Sequence, residues 1–315
     1  MPHTSCRHPR VRREFRELSE HDRERYILAT VCLREQPSRL STRETQWVRD
    51  GVGRKIAMPS LYDDFVYVHW RVAAETHGTP QFLPWHRIFI SLYERALIRH
   101  CGWDEGIPFW DWSHDSQSPE TSILWSARFY GRPTPSTPGS SPDSSPSSSH
   151  FIGASNFTHL FATWPSPHPI DRNWVQGPQG TLIPATFSPV ELEMITGMAR
   201  YGLFRSFLET LPHNLVHSGV GGDGGDFATA PTNPIFWLHH GNIDRHWARW
   251  QHHHLHIAHT YEGYPDSNNA TVDDMMHYSG MYPDVPVRYA LRYGNESNGY
   301  DEEGDVLPDA ELLVS

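Results

Sequence analysis

Residues 233–256 read NPIFWLHHGNIDRHWARWQHHHLH. Asn233 can cap a helix and Pro234 fits the first helical turn, so the segment is predicted to run as a helix from its first residues. Seven of the 21 residues from 236 to 256 are histidine, in a chain that holds 22. A lone histidine is most often a satisfied core or surface residue, so spacing and company must decide which of these carry chemistry.

Other segments carry comparable helix signals. Residues 11–36 place Phe15, Leu18, Tyr26, Ile27 and Ala29 at helical spacing. Residues 61–76 predict a second helix. Residues 85–100 predict a third, with Ile88, Leu92 and Ala96 on one stripe and Gly102 stopping it. A fourth spans 188–209, with Ser188 as cap and Pro189 in its first turn, and Pro212 suits the start of another. Residues 131–150, GRPTPSTPGSSPDSSPSSSH, cannot bury enough apolar area to fold. They are expected to be a disordered excursion within one domain spanning 1–315. The acidic end, residues 291–315, is expected to be loosely held.

At 36.2 kDa, with 12 Trp, 13 Tyr and 14 Phe, the chain can bury a substantial core. A formal net charge of −11 and a pI of about 6.0 argue against a nucleic-acid partner. No run approaches the roughly 18 apolar residues of a membrane span. The N-terminal MPHTSCRHPRVRREFRELSEHD lacks the apolar core of a signal peptide. Three N-glycosylation acceptors nevertheless occur, at Asn156, Asn269 and Asn295. They fit a secreted chain whose signal has been removed; the alternative is a cytosolic protein with accidental acceptors. Of the three cysteines, Cys6 and Cys32 flank the first amphipathic stretch and are the candidate pair, leaving Cys101 as a buried free thiol.

Two histidine groups stand out. His69, His77 and His86 lie in FVYVHWRVAAETHGTPQFLPWHR, on two helices and their connection, so an antiparallel helix pair can aim three imidazoles at one point. His213 and His217, in LPHNLVH, share a helical face, and the 239–240 pair can add a third ring. Imidazole ligands suit Zn, Cu, Fe and Ni. The chain lacks the Glu-x-x-His of di-iron bundles and the HExxH of zinc proteases, and no carboxylate stands at ligand spacing. Six neutral nitrogen ligands favour a copper pair.

The combination HxxxxxxxH…PWHRxF, then PHNxVH…GG…NPIFWLHHxNIDRxWxxWQ, resembles the type 3 copper proteins: tyrosinases, catechol oxidases and molluscan hemocyanins. The opening CRHPRVRREFRELSEHDRERYILATVCL and the segment PFWDWSHD further resemble the short secreted tyrosinase-like enzymes of filamentous fungi. The resemblance spans roughly residues 6–290. It implies a mainly α fold, an antiparallel four-helix bundle core carrying a dinuclear copper site, with long loops and little β structure. It implies His69, His77 and His86 on one copper and His213, His217 and His240 on the other, with dioxygen as co-substrate. The implied reaction is oxidation of o-diphenols to o-quinones, extended in some members to ortho-hydroxylation of monophenols. The implied partner is a small phenol, and the chain is expected to be a monomer. His239 would be a packed neighbour. His246, His252, His253, His254, His256 and His259 would form a solvated helix end.

The same resemblance assigns further roles. Asn214 and an upstream Glu, here Glu209, would hold a water that deprotonates a phenol. Phe227, thirteen residues before His240, would gate the site or pack in the core. From helical spacing rather than the resemblance, Asp244, one turn after His240 on the same face, is expected to orient a ligand imidazole, and Arg245 to pair with an acid. Three departures are visible. Asn233 replaces the usual Asp. Residue 75 is Glu where some members carry a Cys bonded to the middle histidine. About 25 residues follow position 290, where the long members carry a shielding domain, and they do not match the usual closing Tyr motif. A dioxygen carrier similar to one hemocyanin unit is the competing reading, disfavoured by the absence of repeated units.

Overall fold

Three serines set where major helices begin. Ser19 Oγ accepts from the Asp22 backbone N–H ahead of α1 (Glu20–Glu35), and Ser60 Oγ accepts from that of Asp63 ahead of α2 (Leu61–Thr76). After α3 (Phe82–Cys101), closed by Gly102 at φ +67°, Ser188 and Glu191 form a reciprocal capping box on α4 (Pro189–Thr196). The computed structural model describes residues 10–40, 47–49, 55–57, 60–132, 157, 161–162, 168–174, 187–263, 269–291 and 299–300. The excursion from 133 to 150, the tail beyond 300, Cys6, and two of the three glycosylation acceptors lie outside them.

The described chain is mostly helical. Its β structure comprises two-stranded antiparallel ladders of two or three residues per strand and two isolated bridges, Glu14 to Phe109 and Pro37 to Ser60. Helices α2 and α3, joined by residues 77–81, run antiparallel. With α5 (Tyr201–Leu208) continuing through a π turn (Glu209–His213) into α6 (Asn214–Val220), and with α7 (Ile235–His253), they build the four-helix core. Helix α3 packs on α1, α2 and α7. At its contact with α7, Tyr93 and Trp237 stack with centroids 3.7 Å apart and planes 1° off parallel. Phe65 of α2 meets Trp237 edge-on at 5.5 Å. Such pairs stabilise by about 0.5–1.5 kcal/mol beyond their buried area.

The predicted helices hold with identifiable corrections. The 11–36 segment starts its α-helix only at Glu20, after a 3₁₀ turn at Phe15–Glu17, because Ser19 caps there. The 188–209 helix divides at Gly197, and Arg200 is extended (φ −139°, ψ 132°). Pro212 does not start a helix. It sits inside the π turn, where the wider ring of i→i+5 bonds accommodates a residue with no N–H and a bulky ring. Helix α7 begins at Ile235, and Asn233 Oδ1 accepts from Arg172 Nη2 at 3.0 Å and, weakly, from the Ile235 backbone at 3.4 Å.

The predicted Cys6–Cys32 pairing is wrong, because Cys32 is bonded to Cys101. Cys32 stands in the last turn of α1 and Cys101 ends α3, and the packing of these helices brings their Cα atoms to 5.8 Å, within disulfide range. Asp244 does not orient a ligand either. Its Oδ1 accepts from Arg87 Nε at 2.5 Å and its Oδ2 from Arg12 Nη1 at 3.2 Å, at the α3–α7 interface. Arg245 does pair with an acid, Asp111, at 3.0 Å.

Candidate dinuclear metal centre

Each cluster is built from one helix pair and its connection. His69 lies in α2, His77 is the residue at which α2 stops, and His86 stands in the second turn of α3. Their ring centroids are 4.9–5.5 Å apart. In the second cluster the π turn ends on His213, His217 follows one turn later in α6, and α7 contributes His239 and His240. Within each cluster, one candidate ligand atom per residue lies within 4.8 Å of all the others.

Hydrogen bonds on the far side of the rings fix which nitrogen is free. Nδ1–H donates to a backbone carbonyl in four cases: His69 to Ala228 at 2.8 Å, His77 to Ala73 at 3.0 Å, His86 to Phe82 at 2.7 Å and His217 to Gly224 at 2.7 Å. His213 Nδ1–H donates instead to the Asn214 side-chain oxygen at 2.8 Å. With the proton on Nδ1, Nε2 carries a lone pair. The carbonyl of Gly224 is presented by a loop that only glycine can form. A Cβ at Gly221 (φ +62°) would lie 1.8 Å from the Asn173 carbonyl oxygen.

These lone pairs face one another. His69 and His86 Nε2 are 3.4 Å apart, and neither can donate to the other once both Nδ1 atoms are protonated. His213 and His217 Nε2 lie 3.3 and 3.2 Å from His240 Nε2. One proton on His240 satisfies one of them; a cation satisfies all three. Imidazoles about 2.0–2.1 Å from a shared tetrahedral ion would have nitrogens about 3.3 Å apart. The donor sets therefore fit metal ions, one per cluster. The clusters abut, with His86 stacked on His240 at 4.4 Å and 17°.

Burial depresses the pKa of every one of these rings, with neighbouring histidines adding in most. His77 and His217 are held down to about 4. At neutral pH the rings are uncharged, the form that ligates.

Among the other sequence candidates, Glu209 is buried, and it bridges the clusters. Its Oε1 accepts from the Gly78 backbone N–H, next to His77, at 2.6 Å, and its Oε2 from Arg205 Nη1 at 2.9 Å. Desolvation raises its pKa, opposed by those two partners. Asn214 is exposed and its Oδ1 accepts from His213 Nδ1–H, so the two proposed water holders each have a protein partner. Phe227 is 61% exposed and meets the His77 ring edge-on at 5.9 Å, which places it over the cluster and not in the core.

The trailing histidines separate. His252, His253, His256 and His259 are exposed and His254 meets the Thr196 carbonyl, 2.9 Å away. His246 is not part of that solvated end. It is 2% exposed and stacks on Trp112 at 5.3 Å, because it lies two turns from His239 on the same face of α7. In PFWDWSHD nothing about the sequence alone marks Trp112 as a partner of the histidines. Its indole N–H donates to His239 Nδ1 at 3.0 Å. The carbonyl partners at Ala73, Phe82, Gly224 and Ala228 carry no side-chain signature, so no sequence pattern could have named them.

Residues 59–253 match the family model described as the common central domain of tyrosinase. The chain is 32% identical over 290 residues to tyrosinase P of Aspergillus terreus, covering 79% of this chain and 78% of that one. It is 33% identical over 217 residues to the tyrosinase of Streptomyces glaucescens, covering 61% and 73%. Among solved structures, a single-site variant of a polyphenol oxidase from Thermothelomyces thermophila shares the fold with a TM-score of 0.74. It is 24% identical, with 93% of this chain and 87% of that one covered.

Proposed function

The chain belongs to the tyrosinase family of type 3 copper enzymes, and from that premise we propose that it oxidises o-diphenols to o-quinones with dioxygen. Two copper ions would be held, one by His69, His77 and His86 and the other by His213, His217 and His240. The observation that carries the reading is the abutting pair of histidine clusters, one of three and one of four rings, in which Nε2 atoms converge and, among the described residues, no carboxylate takes part. Copper bound there would supply the electron acceptor and the place where dioxygen is reduced. Each diphenol gives up two electrons and two protons, and two diphenols convert one dioxygen to two waters.

The protein's own residues prepare this exchange. Backbone carbonyls and Asn214 fix the tautomer of five rings before any ligand arrives, so little reorganisation is required. Glu209 ties the His77 connection to the turn bearing His213 and so holds the two sets at one separation. Phe227, exposed beside His77, offers an aromatic edge or face to a phenolic ring.

The Cys32–Cys101 bond favours an oxidising compartment, in keeping with a secreted chain. No helix among the described residues is long and apolar enough to cross a membrane. The test is oxygen uptake by copper-loaded protein on 4-methylcatechol, tyramine, tyrosine and 2-aminophenol in parallel. Turnover of 4-methylcatechol supports the proposal. Reversible oxygen binding without turnover would move it to the carrier reading.

A further inference from the structure

Two adjacent histidines, His239 and His240, both stand at the second cluster, and something must decide which one is a ligand. We infer that Trp112 decides it, by fixing His239 in the tautomer that cannot bind a metal from the cluster side. The inference deepens the reading above and rests on the second cluster being a metal site.

The argument starts from hydrogen-bond chemistry. An indole N–H can only donate. Trp112 Nε1 lies 3.0 Å from His239 Nδ1, and both residues are buried, at 0% and 1% exposure. The bond exists only if His239 Nδ1 carries a lone pair. The ring is then neutral with its proton on Nε2. Its cluster-side nitrogen is an N–H and has no lone pair to offer. This is the reverse of the ligand rings, where Nδ1 is protonated and Nε2 is free. His240 has no such constraint. Its Nδ1 is buried without a partner among the described residues, and its Nε2 meets those of His213 and His217.

The donor is held so that it cannot turn away. Trp112 stacks on His246 at 5.3 Å and 22°. Its loop is fastened to α7 on both sides of His239. The Trp110 N–H donates to the Leu238 carbonyl at 3.1 Å, and Arg245 donates to Asp111 at 3.0 Å. The helix that carries both histidines therefore also carries the anchors of the residue that discriminates them. Trp112 is a positioning residue; it reaches the metal site only through His239.

The test reads the tautomer first, in metal-free protein. Long-range ¹H–¹⁵N correlation of ¹⁵N-histidine-labelled wild type should show His239 protonated on Nε2. A proton on Nδ1 overturns the inference without any variant. The second arm counts copper after loading with the acetonitrile complex of Cu(I). His240→Ala should retain about one copper per chain. Adding Trp112→Phe, which keeps an aromatic ring but removes the donor, should free His239 and return the count towards two. A folded double variant that stays at one copper overturns the inference. If the double variant does not fold, the wild-type spectrum decides alone. The tautomer is independent of turnover, so a protein that oxidises no phenol yet shows His239 protonated on Nε2 would sink the proposed function and leave this inference standing.

Discussion

Replacing Asn214 by Ala separates two roles that one residue could have. The Asn214 side-chain oxygen accepts from His213 Nδ1–H at 2.8 Å, so its removal leaves that ligand ring without the bond that sets its tautomer and its direction. The other candidate rings with a fixed Nδ1 use backbone carbonyls, which no substitution of their own neighbours deletes. Loss of such an orienting partner typically lowers metal affinity or activity 10–100-fold, about 1.4–2.8 kcal/mol. Asn214→Ala should therefore weaken the second copper by that factor in a competition titration of Cu(I) against a chromogenic chelator. Turnover of tyramine and of 4-methylcatechol should fall together as that copper is lost. Asn214→Asp keeps an oxygen acceptor and should restore binding. If instead Asn214→Ala binds copper as wild type and the tyramine to 4-methylcatechol ratio falls tenfold or more, orientation is not its role. The residue would then hold a water that deprotonates the phenol, a general-base effect worth about 10²–10⁴-fold.

Four further outcomes follow from named contacts. Phe227→Ala should raise KM for 4-methylcatechol about 2–10-fold with kcat and copper content unchanged, the loss of one exposed aromatic contact of about 0.5–1.5 kcal/mol, read by steady-state oxygen uptake. Asp244→Asn should cost about 3–5 kcal/mol of stability by neutralising the buried carboxylate that Arg87 and Arg12 share, seen as a large fall in Tm of the metal-free protein, and should weaken copper binding in the folded fraction because the contact that sets α3 against α7 is lost. Cys101→Ser should cost up to about 4 kcal/mol for a loop closed over 69 residues, and non-reducing peptide mapping of the wild-type protein should recover Cys32 joined to Cys101. Burial holds His246 down to about 3, below its ordinary value near 6.5, so only the unfolded chain takes up that proton between these pH values. Its contribution is complete above about pH 6.5 and is lost as the pH falls, and His246→Phe should flatten the acid side of the Tm profile.

What the sequence made legible was whatever side-chain spacing controls. The eight- and nine-residue gaps around His77, and the four-residue gap from His213 to His217, correspond in space to two convergent clusters. Gly102 and Ser188 mark helix ends as expected, whereas the Ser19 and Ser60 caps were not anticipated. What was not legible depended on partners distant in the chain. Asp244 is one turn from His240, yet its carboxylate goes to Arg87 and Arg12, which lie 157 and 232 residues away. Cys101 meets Cys32 only because α1 and α3 pack together. His246 looked like the first of a polar run, and the helical face that buries it became evident only with Trp112 in place.

The interleaving of stability and chemistry explains why these positions resisted separate reading. His86 and Arg87 are consecutive on α3. One ring points into the first cluster, while the neighbouring guanidinium donates to Asp244 and Gln251 of α7 and lies 3.6 Å above the Trp247 ring. On α7 the order repeats: His240 faces the second cluster and Asp244, four residues on, receives Arg87. The buried ion pair is thus a bolt between the two helices that supply His86 and His240, whose rings stack at 4.4 Å across the boundary of the clusters. A buried pair of this kind gains little over apolar packing, since desolvation offsets its attraction, but it has one well-defined geometry. Apolar ridges would tolerate a sliding of α3 on α7 that two metal-binding nitrogens would not. Direction, more than added stability, is what a charged contact supplies next to a ligand.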